Sequence, residues 1–434
     1  MHEREDGLAL QVWIRAQGFY NGELFLSGHS YTACLHFATA PFAPDVKGAV
    51  LEAHDCERYH CYYRNGLYKV GLHGIWYVGM YKKKSRPRTS YTLDSYRTLP
   101  LSAFSETVFG EPAQDLDEVW RHPDRDDAFW NTRIGGADTR DALWHAHIPI
   151  LLVMGFYDIY TGGIFDVWRG MDEETRACSA LVMHPFDHSG GGAKQPINFE
   201  NGALKDAFAN YKIRWMDAAR GRGESPFACG RVTYYKLFDN QWCTDDFDTV
   251  TTPCRLTLGE GRVCYKYNPY APATFRGGLS ANFGGNAWQD PPNSRYDIVS
   301  LHTPAFDRDV FVKGKMTARL RVASDCEDTC FYLRISLCKD EGDYGLRDDI
   351  NQISNFNASY RPGDELEMRF SFDEHAFVIR KGERLRIDIS SSAFPHYLPH
   401  TNCRGLFSEQ SLSRVANNTV NLAASYLELP ICEE

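Results

Sequence analysis

The 434-residue chain lacks any run of eighteen or so uninterrupted apolar residues, the length a membrane-spanning helix needs. It also lacks an apolar leader, because its first residues, Met1-His2-Glu3-Arg4-Glu5-Asp6, are charged. Basic residues are not in excess: 47 Lys and Arg face 57 Asp and Glu, and the net charge of −10 argues against nucleic acid as the main partner. No solenoid-type repeat is present. Cys326, Cys330 and Cys338 have no His at zinc-finger spacing and sit in strand-like sequence, so no metal and no cofactor is expected. The thirteen cysteines are odd in number and lie mostly inside apolar runs, which reads as free thiols in a reducing compartment, so the expected location is cytoplasmic.

What is present is an ordinary apolar fraction (43%) with many aromatics (14%), enough for two or three packed domains. The chain is organised around Gly22–Thr32. Leu24, Phe25 and Leu26 read as a buried strand, Gly28-His29-Ser30-Tyr31 as a tight turn, and Ala33, Cys34, Leu35, Phe37, Ala38 as the start of a packed helix. A Ser at such a strand-to-helix turn has the setting of a nucleophile elbow, with the N–H of the next residue, Tyr31, available to an oxyanion. Thr32 stands where such an elbow usually closes on Gly.

A helix over residues 8–18 leads into the elbow strand, and Gly48–Ala53 follows at the spacing of a βαβ unit. Two further apolar strands are expected at Ile148–Gly155 and Ala180–His184, with a helix from Leu204 to Met216. Between them, from about Cys56 to Trp144, aromatics lie among charges and turn residues, which predicts a mostly helical insertion; its basic run Lys82–Arg88 reads as a solvated loop. From about Arg231, short alternating strands such as Val232–Leu237 and Met316–Val322 are broken by turn residues, the pattern of an antiparallel sandwich or jelly roll. The expected division is an α/β core over 1–55 and 147–222, a helical cap over 56–146 and a β-sandwich over 223–434.

Two strand ends complete the elbow. One is followed by Phe156-Tyr157-Asp158-Ile159-Tyr160, the other by Pro185-Phe186-Asp187-His188-Ser189. Open parallel sheets carry their functional groups just past the carboxyl ends of strands. The order Ser30, Asp158, His188 is the order of an α/β-hydrolase triad: His188 would take the Ser30 proton and Asp158 would hold the imidazole. Asp187 is the alternative acid, and Asp158 could instead cap the following helix.

The stretches Gln17–Gly22, Gly28-His29-Ser30-Tyr31, Gly155-Phe156-Tyr157-Asp158 and His184-Pro185-Phe186-Asp187-His188 resemble one group of proteins. It is the cocaine-esterase and X-prolyl dipeptidyl-peptidase type of α/β-hydrolase. Tyr265–Pro269, Gly382–Arg386 and Ile389–Pro395 extend the likeness into the sandwich. The resemblance implies a serine hydrolase with catalytic Ser30, Asp158 and His188, an oxyanion-hole contribution from Tyr31, and a jelly roll that helps wall the site. Substrates would be small-molecule esters, amides or short peptides, including X-prolyl dipeptides. Phe156 and Phe186 stand where the group has Trp. Tyr160 and Thr161 replace the acidic pair that amino-ester hydrolases place after the triad Asp, so a substrate ammonium lacks its partner and Tyr160 is expected to line the acyl pocket. The group's first strands, with a Tyr that completes the oxyanion hole, have no counterpart here. That predicts an edge at residues 22–27, about four parallel strands, impaired activity, and a need for cover from a second copy or an N-terminal segment. The alternatives are a catalytically impaired homologue acting as a binding or structural protein, and a carbohydrate- or partner-binding jelly roll. No nucleic-acid or membrane partner is expected.

Overall fold

The structure is a computed structural model that describes residues 2–81, 93–131, 137–190, 197, 199–278 and 287–432. A six-stranded sheet forms the α/β part. Its strands are β1 (Leu24–His29), β2 (Val46–Glu52), β3 (Ile150–Gly155), β4 (Ala180–His184), β5 (Val232–Lys236) and β6 (Gln241–Asp245), lying side by side in that order. The first five run parallel and β6 returns antiparallel on β5. Strands β3, β4 and β5 are buried at every residue, as strands of a doubly covered parallel sheet should be, although only β3 is apolar throughout and β5 carries Thr233 and Lys236.

Alternation sorts the side chains of β2 between two cores. Ala49 and Leu51 pack on one face with Leu26, Leu152 and the Ala33 and Phe37 of helix α2 (Tyr31–Thr39). Val50 packs on the other with Leu151, Val153 and Trp215, the last from the helix Tyr211–Ala219. Helix α1 (Glu3–Arg15) lies on α2 and presents Leu10, Val12 and Trp13 to solvent at 57–61% exposure.

The sequence placed residues 232–245 in the sandwich; they belong to the α/β sheet, β5 pairing with β4 through Leu181–Val232, Val182–Thr233 and Met183–Tyr234. Among the described residues the parallel strands therefore number five rather than about four. Among the described residues β1 has a partner on one side only, as expected. Leu24 and Phe25 are half-buried there, whereas Leu26 is buried.

The insertion after β2 is a set of short helices, among them Tyr59–Tyr62, Phe104–Phe109 and Gln114–Arg121, with a small ribbon pairing Tyr63–Arg64 with Leu67–Tyr68. Its core is aromatic: Phe104 stacks on Tyr96 at 4.2 Å and meets Trp120 edge-on at 5.8 Å. The basic run Lys82–Arg88 lies outside the described residues.

Two antiparallel sheets build the C-terminal sandwich. The long strand Ala416–Cys432 is shared by several partners in one, and Cys330–Lys339 pairs with Gly342–Gln352 and Arg384–Ser390 in the other. The sandwich meets the core at the end of β5, where Leu237 N–H donates to the Ala376 carbonyl (3.0 Å) and Val378 N–H to the Leu237 carbonyl (3.1 Å). No helix among the described residues is long and apolar enough to cross a membrane.

Candidate active site

Ser30 sits between β1 and α2 with φ of 57° and ψ of −128°, a strained conformation for a residue with a Cβ. The turn needs Gly28: a Cβ there would lie 2.6 Å from the Ala33 nitrogen and the Thr32 carbonyl carbon. Thr32 is tolerated at the closing position because its side chain is exposed and closes the turn itself. Its hydroxyl donates to the His29 carbonyl (2.7 Å) and accepts from the His29 N–H (2.9 Å). Ser30 N–H donates to the Glu52 carbonyl at the end of β2 (2.9 Å), which ties the elbow to the sheet. Tyr31 is the first residue of α2, so its N–H is among those no helical carbonyl reaches.

The loops after β3 and β4 are drawn together by main-chain bonds from Phe156 N–H to the His184 carbonyl (2.8 Å) and Tyr157 N–H to the Phe186 carbonyl (3.1 Å). Gly155 makes the approach possible; a Cβ there would stand 2.1 Å from the Phe186 carbonyl oxygen. The sandwich braces the same loop, with His375 Nε2 3.3 Å from Tyr157 Oη and the Arg347 guanidinium over the Tyr157 ring at 5.4 Å.

The outcome is a hydrogen-bonded chain of three side chains: His188 Nε2 lies 2.9 Å from Ser30 Oγ, and His188 Nδ1 lies 2.8 Å from Asp158 Oδ2. Asp158 is fully buried. Burial pushes its carboxyl up, but the His188 ring and the Tyr160 N–H (3.0 Å) outweigh it and hold the group below its ordinary range. For His188 burial acts downward, and the Asp158 charge and hydrogen bond overcome it to give a net rise. Asp187 turns into its own loop and accepts from Ser189 N–H (3.0 Å) and Oγ (2.5 Å).

Tyr160 is buried beside this chain, its ring 6.1 Å from that of His188 and stacked on His54 at 4.2 Å. Its hydroxyl contacts Cys61 Sγ at 2.7 Å. Thr161 is spent on the main chain, donating to the Gly155 and Asp158 carbonyls. Two residues that the sequence reading passed over, His54 and Arg58, stand in the shell behind Tyr160. Neither could have been found from spacing: His54 closely follows β2, and Arg58 opens the stretch that reads as a mostly helical insertion.

Cys326, Cys330 and Cys338 do not converge: Cys326 contacts Asp325 and Val415, and Cys330 donates to the Ser391 carbonyl. His145, His147 and Asp172, and separately His302, Cys338 and Asp343, bring ligating atoms within 4.8 Å of one another. Neither group includes Ser30, Asp158 or His188.

Residues 1–190 match the family described as X-Pro dipeptidyl-peptidase (S15 family), and residues 232–427 match the X-Pro dipeptidyl-peptidase C-terminal non-catalytic domain. Cocaine esterase of a Rhodococcus species is 24% identical over 361 residues, 73% of this chain and 61% of that protein, so the match spans about three fifths of the relative's length. An aminopeptidase of a marine-sediment Thaumarchaeota archaeon superposes with a TM-score of 0.83 at 18% identity, over 100% of this chain and 80% of that one. An α-amino acid ester hydrolase gives a TM-score of 0.80 at 16% identity with the same coverage. At these identities the structural likeness establishes the fold. Both halves of the chain are matched in sequence order, and the protein belongs to the cocaine-esterase and X-prolyl dipeptidyl-peptidase family of α/β-hydrolases with a C-terminal β-sandwich.

Proposed function

We propose that the protein is a serine hydrolase that cleaves an ester or amide of the acyl-ester or X-prolyl dipeptide class through an acyl-enzyme. The observation that carries this reading is the unbroken chain from Ser30 Oγ through the His188 imidazole to the buried Asp158 carboxylate. Ser30 Oγ attacks the substrate carbonyl while His188 Nε2 accepts its proton, and Asp158 stabilises the imidazolium that forms. The Tyr31 N–H, which no helical carbonyl reaches, is the donor assigned to the carbonyl oxygen as it gains charge. His188 then donates its proton to the leaving alcohol or amine. Water enters, gives a proton to His188 and attacks the acyl carbon; the bond to Ser30 Oγ breaks, His188 returns the proton to Oγ, and the acid leaves. Tyr160, packed beside His188, lines the acyl side of the site. The cytoplasmic location read from the odd number of cysteines in the sequence is kept as part of this proposal.

Mixing the protein with excess p-nitrophenyl butyrate in a stopped-flow instrument tests the mechanism. A burst of p-nitrophenol near one equivalent per chain, absent from Ser30→Ala, is expected where deacylation is slower than acylation. Equal turnover by wild type and Ser30→Ala would overturn the proposal.

A further inference from the structure

Arg58, at the start of the cap, is 7% exposed. Its guanidinium donates to Cys61 Sγ (3.4 Å) and Tyr62 Oη (2.9 Å), and lies over the rings of Tyr31 (5.3 Å) and Tyr62 (5.4 Å). Among the described residues no carboxylate comes within 4.0 Å of it. The acidic groups nearby in sequence and space are engaged elsewhere. Asp55 faces His60 at 2.6 Å, Glu57 faces Arg125 and Arg140 at 2.6 Å, and Glu3 accepts from Tyr31 Oη at 2.8 Å.

The other buried arginines each have carboxylate or carbonyl acceptors. Arg386 faces Asp388 and Asp343 at 2.8 Å, Arg334 faces Asp348 at 3.5 Å, and Arg347 donates to the carbonyls of Asp373, Leu346 and Glu374. Arg58 has one phenol and one thiol, which leaves N–H donors of its five-donor fork without an anionic or carbonyl acceptor. A buried cation without a counter-charge is unfavourable, and an anion that enters beside it removes the penalty.

The position of Arg58 ties it to the nucleophile from two sides. Tyr31, whose ring it covers, follows Ser30 in the chain. On the other side Arg58 bonds Cys61, Cys61 contacts Tyr160, and the Tyr160 ring stands 6.1 Å from His188. A buried acceptor lies on the same side of the site. His54 is 1% exposed, and its Nδ1 bonds the Asp55 carbonyl, so Nδ1 carries the proton and Nε2 is an acceptor. That Nε2 is buried and has no hydrogen-bond partner among the described residues.

We infer that Arg58 is a specificity-determining residue that binds a carboxylate at the far end of the substrate acyl group, so that half-esters and half-amides of dicarboxylic acids are favoured substrates. The inference rests on the serine-hydrolase reading. Arginine suits the task because its planar fork meets a carboxylate with two parallel hydrogen bonds. The negative charge lies several bonds from the scissile carbonyl, so the bond attacked by Ser30 stays in the neutral surroundings expected from Tyr160 and Thr161.

The test uses mono-p-nitrophenyl esters of succinic, glutaric and adipic acid, each beside its methyl-capped diester of equal length. Wild type is expected to favour the free acid at one chain length by roughly 10- to 100-fold in kcat/KM, the range of a charge-assisted hydrogen bond. Arg58→Met should bring that ratio close to one. A ratio near one in wild type, or an unchanged ratio in Arg58→Met, would overturn the inference. Fluorophosphonate labelling is measured first on both proteins. Wild type that is not labelled contradicts the serine-hydrolase reading itself, whereas labelled wild type with no preference for the free acid contradicts only the role of Arg58. If Arg58→Met fails to fold, wild type decides: glutarate should slow labelling and dimethyl glutarate should not, and equal rates with both would overturn the inference.

Discussion

His188 Nδ1 faces Asp158 Oδ2 at 2.8 Å, while Asp187, the residue next to His188 in the chain, is taken up by Ser189. The acid therefore comes from the loop after β3 and not from the His188 loop. Asp158→Asn should leave the fold intact and lower kcat by about 10⁴-fold, because the amide cannot hold the tautomer that accepts from Ser30. Asp187→Asn should lower it far less. Steady-state kinetics with one p-nitrophenyl ester checks both, and the reverse ranking would assign the acid to Asp187.

The pH profile follows from the same pair. His188 must be neutral to accept the Ser30 proton, and Asp158 holds its folded pKa above the ordinary value of about 6.5. Activity should therefore rise with pH through a limb above that value. Because the folded pKa is raised, the pair's contribution to stability is full below the unfolded pKa and fades as pH rises through the folded one. The pH dependence of kcat/KM in the free enzyme is the check, and a limb well below 6.5 would contradict the coupling.

Much of this arrangement is legible in the chain. Ser30, Asp158 and His188 each follow an apolar run, and a parallel sheet puts such positions at one edge. The domain border is less legible. Val232–Lys236, with Thr233 and Lys236 among its apolar residues, reads as a sandwich strand, and its end does meet the sandwich through Leu237, Ala376 and Val378, yet it is buried throughout beside β4. Periodicity reports how a strand is buried and not which strand lies beside it. Arg58 is illegible for a related reason. In Asp55-Cys56-Glu57-Arg58-Tyr59, where the predicted insertion begins, Arg58 follows two acids that could neutralise it, and only the fold shows that the two acids are paired elsewhere while Arg58 is buried.

The elbow itself can be probed at Gly28. A Cβ 2.6 Å from main-chain atoms must displace the turn, so Gly28→Ala should lose activity and about 1–3 kcal/mol of stability. Denaturant titration together with kinetics gives both values. A stable and fully active variant would show that the turn is looser than described.

The substrate's charge preference is a separate expectation. Thr161 is hydrogen-bonded to the main chain and Tyr160 to Cys61, so neither offers a carboxylate to an ammonium, and Arg58 would repel one. An alanine ester with a free amine should react at least about tenfold more slowly than the matching propionate ester. Faster cleavage of the amino ester would contradict this.

Strand β1 is an edge among the described residues, and Ser27 on it is exposed. Edge strands invite pairing with other chains, and a lysine there discourages it. The protein should self-associate in a concentration-dependent way that Ser27→Lys weakens. Sedimentation velocity measures this, and identical behaviour of the two proteins would remove β1 as the contact.

The central claim is that Ser30 is the nucleophile, activated by His188. Its most direct test is intact-mass and peptide mapping after reaction with a fluorophosphonate. The account predicts one phosphonyl group per chain, located on the peptide that contains Ser30, and none on Ser30→Ala. Phosphonylation of another residue, or undiminished labelling of Ser30→Ala, would contradict it.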